Sequence, residues 1–180
     1  AQKVMNAMWG AGQMMFNKIL VITASPNLSE QDGKKDLKIT DYESLAKFVF
    51  KNLNPSTDIY FSQGPMDVLD HSCSQLGFGG KMCIDGTFKF DEEKDKNYFS
   101  DPPTFNNNSS DEVINIFPEI KSINSSLLEK NIPCLIIAVE KNKKDHLRKV
   151  HEAICEFKIS KGIKVSLYVE HTVDANDFPV

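Results

Sequence analysis

Three groups of residues have the types and spacing to do chemistry. The cluster Gly77-Phe78-Gly79-Gly80-Lys81 ends in the Gly-Lys pair that closes a phosphate-cradling loop, G-x-x-x-x-G-K-[ST]. Gln75 stands where the first glycine of that loop belongs and Met82 where the magnesium-binding hydroxyl belongs, so the cluster reads instead as backbone passing close to another element. His71, Cys73, Cys83 and Asp85 are all competent zinc ligand types, but the two cysteines are ten residues apart and form no C-x-x-C pair. Cys73 with His71 as a nucleophile and base lacks the third, orienting group. Asp67, Asp70 and Asp85 could supply general acid or base chemistry, but aspartates in a loop are more often turn formers bonded to their own backbone. His146 and His151 fall in a stretch rich in Lys and Arg and are expected to be solvated. Taken alone, these residues give no complete catalytic set, and no metal site or catalytic residue is assigned.

The elements that must position them follow from periodicity. Val4, Met5, Met8, Trp9, Met15 and Phe16 recur at helical spacing, with Gly10 and Gly12 weakening the middle turn. Residues 18–23 are a short β-branched run, expected as a strand buried on both faces of a parallel sheet. The run ends in Thr23-Ala24-Ser25-Pro26, without the glycines of a dinucleotide fingerprint, and residues 29–38 read as a polar loop. Thr40 or Asp41 caps a helix carrying Leu45, Phe48, Val49 and Leu53 on one face and stopped by Asn54-Pro55. A strand follows over 58–61, then a long structured loop over 64–90 and a mobile insertion over 91–112. Residues 111–130 read as one or two short helices broken at Pro118. Residues 133–139 are the clearest strand and should be central; a helix over 145–157, a stop at Gly162 and a strand over 164–169 complete the order. The strands starting near Lys18 and Ile163 are weak echoes of one another. This alternation predicts one α/β domain over 1–180, three-layer α/β/α around a mostly parallel central sheet.

Composition bounds the classes that remain. The chain has 180 residues, 41% hydrophobic and 26% charged, which is globular usage. Lys and Arg number 21 against 25 Asp and Glu, a net charge of −4, the wrong sign for binding nucleic acid by counterion release. No apolar run reaches the roughly 18 residues that span a bilayer. Four cysteines are too few for a disulfide scaffold, so reduced thiols and a cytoplasmic location are expected. The chain opens inside an apparent helix and stops just after Asp177-Phe178-Pro179, and is expected to be a piece of something longer.

Three stretches read together change the picture: residues 9–18 (WGAGQMMFNK) leading into a strand, residues 64–71 (GPMDVLDH), and residues 77–89 (GFGGKMCIDGTFK). In order and spacing they resemble the carboxyl-terminal domain of the UbiD family of decarboxylases. The last stretch is similar to that family's G-x-K-M-G-x-D-A-T-x-K segment and the middle one to its P-I-D-x-L-D. The resemblance implies loss of carbon dioxide, without oxidation, from an aromatic or α,β-unsaturated carboxylic acid. It also implies prenylated flavin mononucleotide (prenylated FMN) as cofactor, with a divalent metal (Mn or Mg) and potassium. Those groups would be held mainly by a preceding split-barrel domain, so the chain alone is expected to be inactive.

By the same resemblance, Gln13 and Lys18 fall at cofactor-facing positions, and Met14, Asn17, Gly64, Pro65 and Met66 at positions lining the substrate pocket. Each has a plainer reading as well: a methionine at helical spacing is also core packing, and Lys18 can bond an anion or simply end a helix as a favourable cation. Gly64, small where relatives carry a bulky aromatic, would suit a prenylated ring. Many relatives follow the first strand with several aspartates; here the similar acidic loop is instead residues 169–177. Together these features resemble the menaquinone-associated subgroup. They imply a homo-oligomer acting in quinone biosynthesis on a polyprenylated aromatic acid, which would bring the protein to the membrane surface peripherally. The alternative is a noncatalytic α/β oligomerisation or protein-binding module.

Overall fold

A computed structural model describes residues 1–23, 38–73, 75–93 and 102–177. They fall into two compact units, Ala1–Phe99 and Ser100–Val180, each with its own three-stranded sheet.

In the first unit, helix α1 (Gln2–Trp9) stops at Gly10, and Gly12, at φ +45°, turns the chain into a 3-10 turn over Gly12–Phe16. The helix expected over 4–16 is therefore two pieces, because a left-handed glycine cannot continue a right-handed helix. Strand β1 (Ile19–Thr23) follows. Helix α2 (Tyr42–Asn52) is capped by Asp41, whose carboxylate accepts from the Ser44 N–H at 3.1 Å. Strands β2 (Ile59–Pro65) and β3 (Phe78–Gly86) complete a sheet of order β1-β3-β2.

The central strand of this sheet is the stretch that reads as loop. Its glycines depress strand propensity, yet two of them are required by close approach. A Cβ on Gly79 would lie 2.9 Å from Cys73 Sγ, and one on Gly86 would lie 2.8 Å from Val49 Cγ1 on α2. Packing over β3 thus overrides its weak local signal. On one face of the sheet Cys83 is buried and Lys81 reaches the 3-10 turn; on the other, Ile19, Met82 and Phe61 form one cross-strand row and Val21, Ile84 and Ile59 the next. This second face is largely uncovered, with Ile19 58%, Val21 50% and Phe61 79% exposed, so β1 is not buried on both faces as its sequence suggests. Of the polar loop expected over 29–38, all but Lys38 lies outside the described residues.

The second unit contains β4 (Thr104–Phe105), α3 (Asn107–Ile116), β5 (Ile120–Asn124), α4 (Ser126–Glu129), β6 (Cys134–Val139), α5 (His146–Glu156), β7 (Ser160–Lys161) and β8 (Val165–Glu170). β4 pairs with β7, and a second sheet has the order β5-β6-β8. β6 is buried along its whole length and is central, as its unbroken apolar run requires. Leu135, Ile137 and Val139 pack with Val113, Val150 and Ile154 of α3 and α5, while Ile136 and Ala138 meet Ala175 on the opposite face. Residues 104–112, expected within an insertion, instead form β4 and the start of α3, which Asn106 caps by accepting from the Ser109 N–H. Residues 94–101 lie outside the described residues.

Both three-stranded sheets are mixed rather than mostly parallel. In each the central strand has one parallel and one antiparallel neighbour: β3 runs parallel to β1 and antiparallel to β2, and β6 parallel to β8 and antiparallel to β5. The antiparallel partners β2 and β5 precede the central strands through connections without a crossover helix spanning the sheet, which is what lets the chain reverse direction.

Candidate functional site

The 3-10 turn before β1, the end of β2 and the middle of β3 bring several predicted positions together around one lysine. Lys81 is 4% exposed. Its ammonium donates to the carbonyls of Met15 and Asn17, the latter at 3.1 Å, and lies 5.7 Å from the centre of the Trp9 ring. The Trp9 indole N–H donates to the same Asn17 carbonyl at 3.0 Å. Burial lowers the pKa of Lys81. Gly64 sits against its stem: a Cβ there would lie 3.0 Å from Lys81 Cε. Asn17 and Gly64 are thus joined through Lys81, a motif residue that the sequence does not place at the site.

Lys18 stands at the rim. Its ammonium donates to Asp70 Oδ2 at 2.8 Å and to the Ser72 hydroxyl. The hydrogen bond from Lys18, followed by those from Ser72, holds Asp70 well below the usual carboxylate range, while the bond to Asp70 raises Lys18. Met66 is buried, its N–H bonded to the Gly77 carbonyl at 2.9 Å. Gln13, Met14 and Pro65 are exposed.

On the uncovered sheet face lies an open groove of about 660 Å³, with Ile19, Phe61 and Met82 as apolar walls and Lys18, Ser62 and Gln63 at its polar border. Lys18 is the predicted site residue that borders it. The prenylated FMN suggested by the resemblance does not fit these residues by themselves. Lys18 is already neutralised by Asp70, and Gln13, on an exposed turn, offers a phosphate no charge.

The remaining charges of the 79–89 motif are built into the frame. Lys89, 8% exposed, faces Asp85 Oδ1 at 3.1 Å and Asp58 Oδ2 at 3.6 Å, and donates to the Asp85 and Thr87 carbonyls at 3.3 Å. Burial pushes Asp85 up as the largest single influence. Hydrogen bonds from Thr87 and Lys89 together outweigh it and leave the carboxyl below its ordinary value. Asp58 also accepts from the Asn54 N–H at 2.9 Å, closing the turn between α2 and β2. The role of Asp58 and Lys89 as partners is not visible in sequence, because 31 residues separate them and neither stands in an apolar run.

The zinc-type residues do not converge. Cys83 is buried, Cys73 half-buried under Gly79 and His71 exposed, and among the described residues no group of three or more His, Cys, Asp or Glu could hold a metal ion. Asp67 and Asp70 do act as turn formers, accepting from the N–H groups of Leu69 and Ser72. His146, expected in solvent, is 6% exposed. Its Nδ1 accepts from the Asn142 N–H and its Nε2 lies 2.8 Å from Glu119, a pairing between α5 and the residue before β5 that helical periodicity cannot reveal. All four cysteines are free.

The first unit is therefore a small mixed α/β layer whose motif lysines and aspartates brace its central strand and whose apolar face is open. Residues 1–86, which include that entire sheet, match the family model described as the 3-octaprenyl-4-hydroxybenzoate carboxy-lyase C-terminal domain, the UbiD C-terminal domain. The chain is 34% identical over 121 residues to an uncharacterized protein of Aquifex aeolicus, covering 67% of this chain and 21% of that protein. It is 35% identical over 91 residues to one of Helicobacter pylori (49% and 13%) and 27% identical over 124 residues to one of Archaeoglobus fulgidus (68% and 24%). The chain spans less than a quarter of the length of these relatives. No helix among the described residues is long and apolar enough to cross a membrane.

Proposed function

We propose that this chain forms the carboxyl-terminal part of a UbiD-like non-oxidative decarboxylase acting on a polyprenylated aromatic acid in quinone biosynthesis, in the manner of the menaquinone-associated subgroup. The observation that carries the reading is the match over residues 1–86 to a domain whose description names a polyprenylated hydroxybenzoate. Expelling carbon dioxide from an sp² carbon leaves an electron pair that no side chain can hold, and prenylated FMN supplies the electron sink. In this reading the flavin, a divalent Mn or Mg ion and potassium are held by a preceding split-barrel domain. The present chain contributes one wall of the cleft and contacts between copies of a homo-oligomer. Contact with the membrane surface comes through the prenylated substrate.

The groove on the open sheet face supports the substrate class. Ile19, Phe61 and Met82 give it apolar walls with a soft, adaptable thioether, which suits an isoprenoid chain better than a small polar acid. Lys81 of β3, bonded to the Met15 and Asn17 carbonyls, holds the 3-10 turn of Gln13 and Met14 against β3, and Lys18 ties the residue after that turn to Asp70 in the connection between β2 and β3.

One observation favours a second reading. A contiguous apolar face with Phe61 79% exposed also serves a noncatalytic module whose face is covered by a protein partner or a second copy. Native mass spectrometry of the parent protein, purified from cells that make the prenylated flavin, separates the two. The decarboxylase reading expects prenylated FMN retained by the parent protein and absent from residues 1–180 alone. A parent protein that self-associates but carries no flavin overturns it in favour of the module.

A further inference from the structure

A thiol, an imidazole and a phenol stand in line on the second unit, apart from everything invoked above. α5 places His151 and Cys155 one helical turn apart on its outer face, both exposed. Cys155 Sγ lies 3.7 Å from His151 Nε2, and His151 Nδ1 lies 2.7 Å from Tyr168 Oη on β8. The imidazole and phenol rings meet edge to face, with centroids 5.9 Å apart at 81°. Tyr168 is itself anchored, packed against the core of Leu135, Ile137 and Val150. Burial, more than the neighbouring Cys155 thiol, pushes Tyr168 up to about 12, so it stays a neutral phenol at physiological pH.

We propose that Cys155 is a thiol-modification site, exchanging with small-molecule disulfides of the glutathione type, with His151 as its base and Tyr168 as the residue that positions His151. The two neighbours of the imidazole occupy different ring nitrogens, which is the arrangement of a nucleophile–base–orienter line and not of ligands converging on one metal ion. Holding its own proton on Nδ1, where the Tyr168 oxygen accepts it, leaves Nε2 free to take the proton of the Cys155 thiol. The thiolate attacks one sulfur of the disulfide; a new S–S bond forms as the old one breaks, and the departing thiolate takes the proton back from Nε2. One thiol is oxidised to a mixed disulfide and one small thiol is released, so electrons and protons balance. The dipole at the end of α5 opposes a thiolate, so the imidazole is the activating group. The other three cysteines are poor competitors: Cys83 and Cys134 are buried, and Cys73 is half-buried with its thiol pushed up by burial. With no second exposed thiol to resolve it, the product is the mixed disulfide.

The test is exchange of the full chain with oxidised glutathione, mapped by mass spectrometry. Cys155 should be modified first, and His151→Gln should slow it by about tenfold or more while circular dichroism stays unchanged. In nitrogen-15 spectra of the imidazole, the wild type should show the Nδ1–H form and Tyr168→Phe a shift toward the Nε2–H form, a change that loosened packing alone does not produce. Reaction of Cys155 no faster than free glutathione at the same pH, an unchanged rate in His151→Gln, or an unaltered imidazole spectrum in Tyr168→Phe would each overturn the proposal.

Discussion

Lys89 lies between two buried carboxylates, and its removal should cost far more than the loss of an ordinary surface charge. Lys89→Met leaves Asp58 and Asp85 facing each other without a cation, and urea unfolding of the chain should show a loss of about 3 kcal/mol or more. Asp85 carries the matching acid dependence. Its carboxyl is held below the ordinary value in the folded state, so its contribution is present above about pH 4 and is lost as pH falls through the folded value. The stability of Asp85→Asn, lower at neutral pH, should therefore fall less steeply than that of the wild type below pH ~4. Gly64 and Gly86 belong to the same scale. Gly86→Ala drives a Cβ into Val49 and should cost about 1–3 kcal/mol; Gly64→Ala crowds a Lys81 stem that its two carbonyl bonds prevent from yielding. The motif spacing made these residues conspicuous, but their partners were hidden. Lys81 and Lys89 look like surface cations in a string of letters; the pleat of β3 turns Lys81 inward, and the turn after β3 folds Lys89 back onto Asp85 and Asp58.

Among the elements, β6 and α5 were legible because burial on both faces writes an unbroken apolar run and burial on one helical face writes a 3.6-residue period. β3 and β5 were not. β3 trades side chains for close approach at Gly79 and Gly86, and β5 is a five-residue strand with Lys121, Ser122 and Asn124 among its positions. Asn124 shows why a polar residue belongs there. Its amide donates to the Ala175 carbonyl at 2.9 Å and to Asn176 Oδ1 at 2.8 Å, and its own oxygen accepts from the Ser126 N–H at 2.8 Å at the start of α4. One side chain thus starts a helix and pins the turn after β8. Asn124→Ala should cost about 2 kcal/mol, with hydrogen exchange accelerating at 173–177 and over α4 while the buried amides of β6 keep their protection relative to global unfolding.

At the scale of the whole molecule, the faint echo between the strands near Lys18 and Ile163 has a counterpart in topology: β1 and β8 are each the parallel neighbour of a central strand that also has an antiparallel one. A mostly parallel sheet was the natural inference from alternating helices and strands, but strand direction depends on connections, and the connections into β3 and β6 reverse the chain. Of the residues the resemblance places at cofactor and substrate, Asn17 and Gly64 each meet Lys81 and Lys18 borders the groove, whereas Met66 is buried and the apolar walls are Ile19, Phe61 and Met82, which the sequence did not single out as site residues. That groove makes a prediction for the parent protein. Phe61→Asp should raise KM for a prenylated acid more than for its unprenylated counterpart, because a charge there spoils an apolar wall, and equal effects on both would place the isoprenoid chain elsewhere.

The central claim is the decarboxylation itself, and the measurement that meets it most directly is carbon dioxide release by the parent protein, loaded with prenylated FMN, from a polyprenylated 4-hydroxybenzoate labelled at the carboxyl carbon. The account predicts labelled carbon dioxide and the matching phenol in equal amounts over many turnovers. A loaded protein that releases none, from this acid or from any of a panel of aromatic acids, would contradict it.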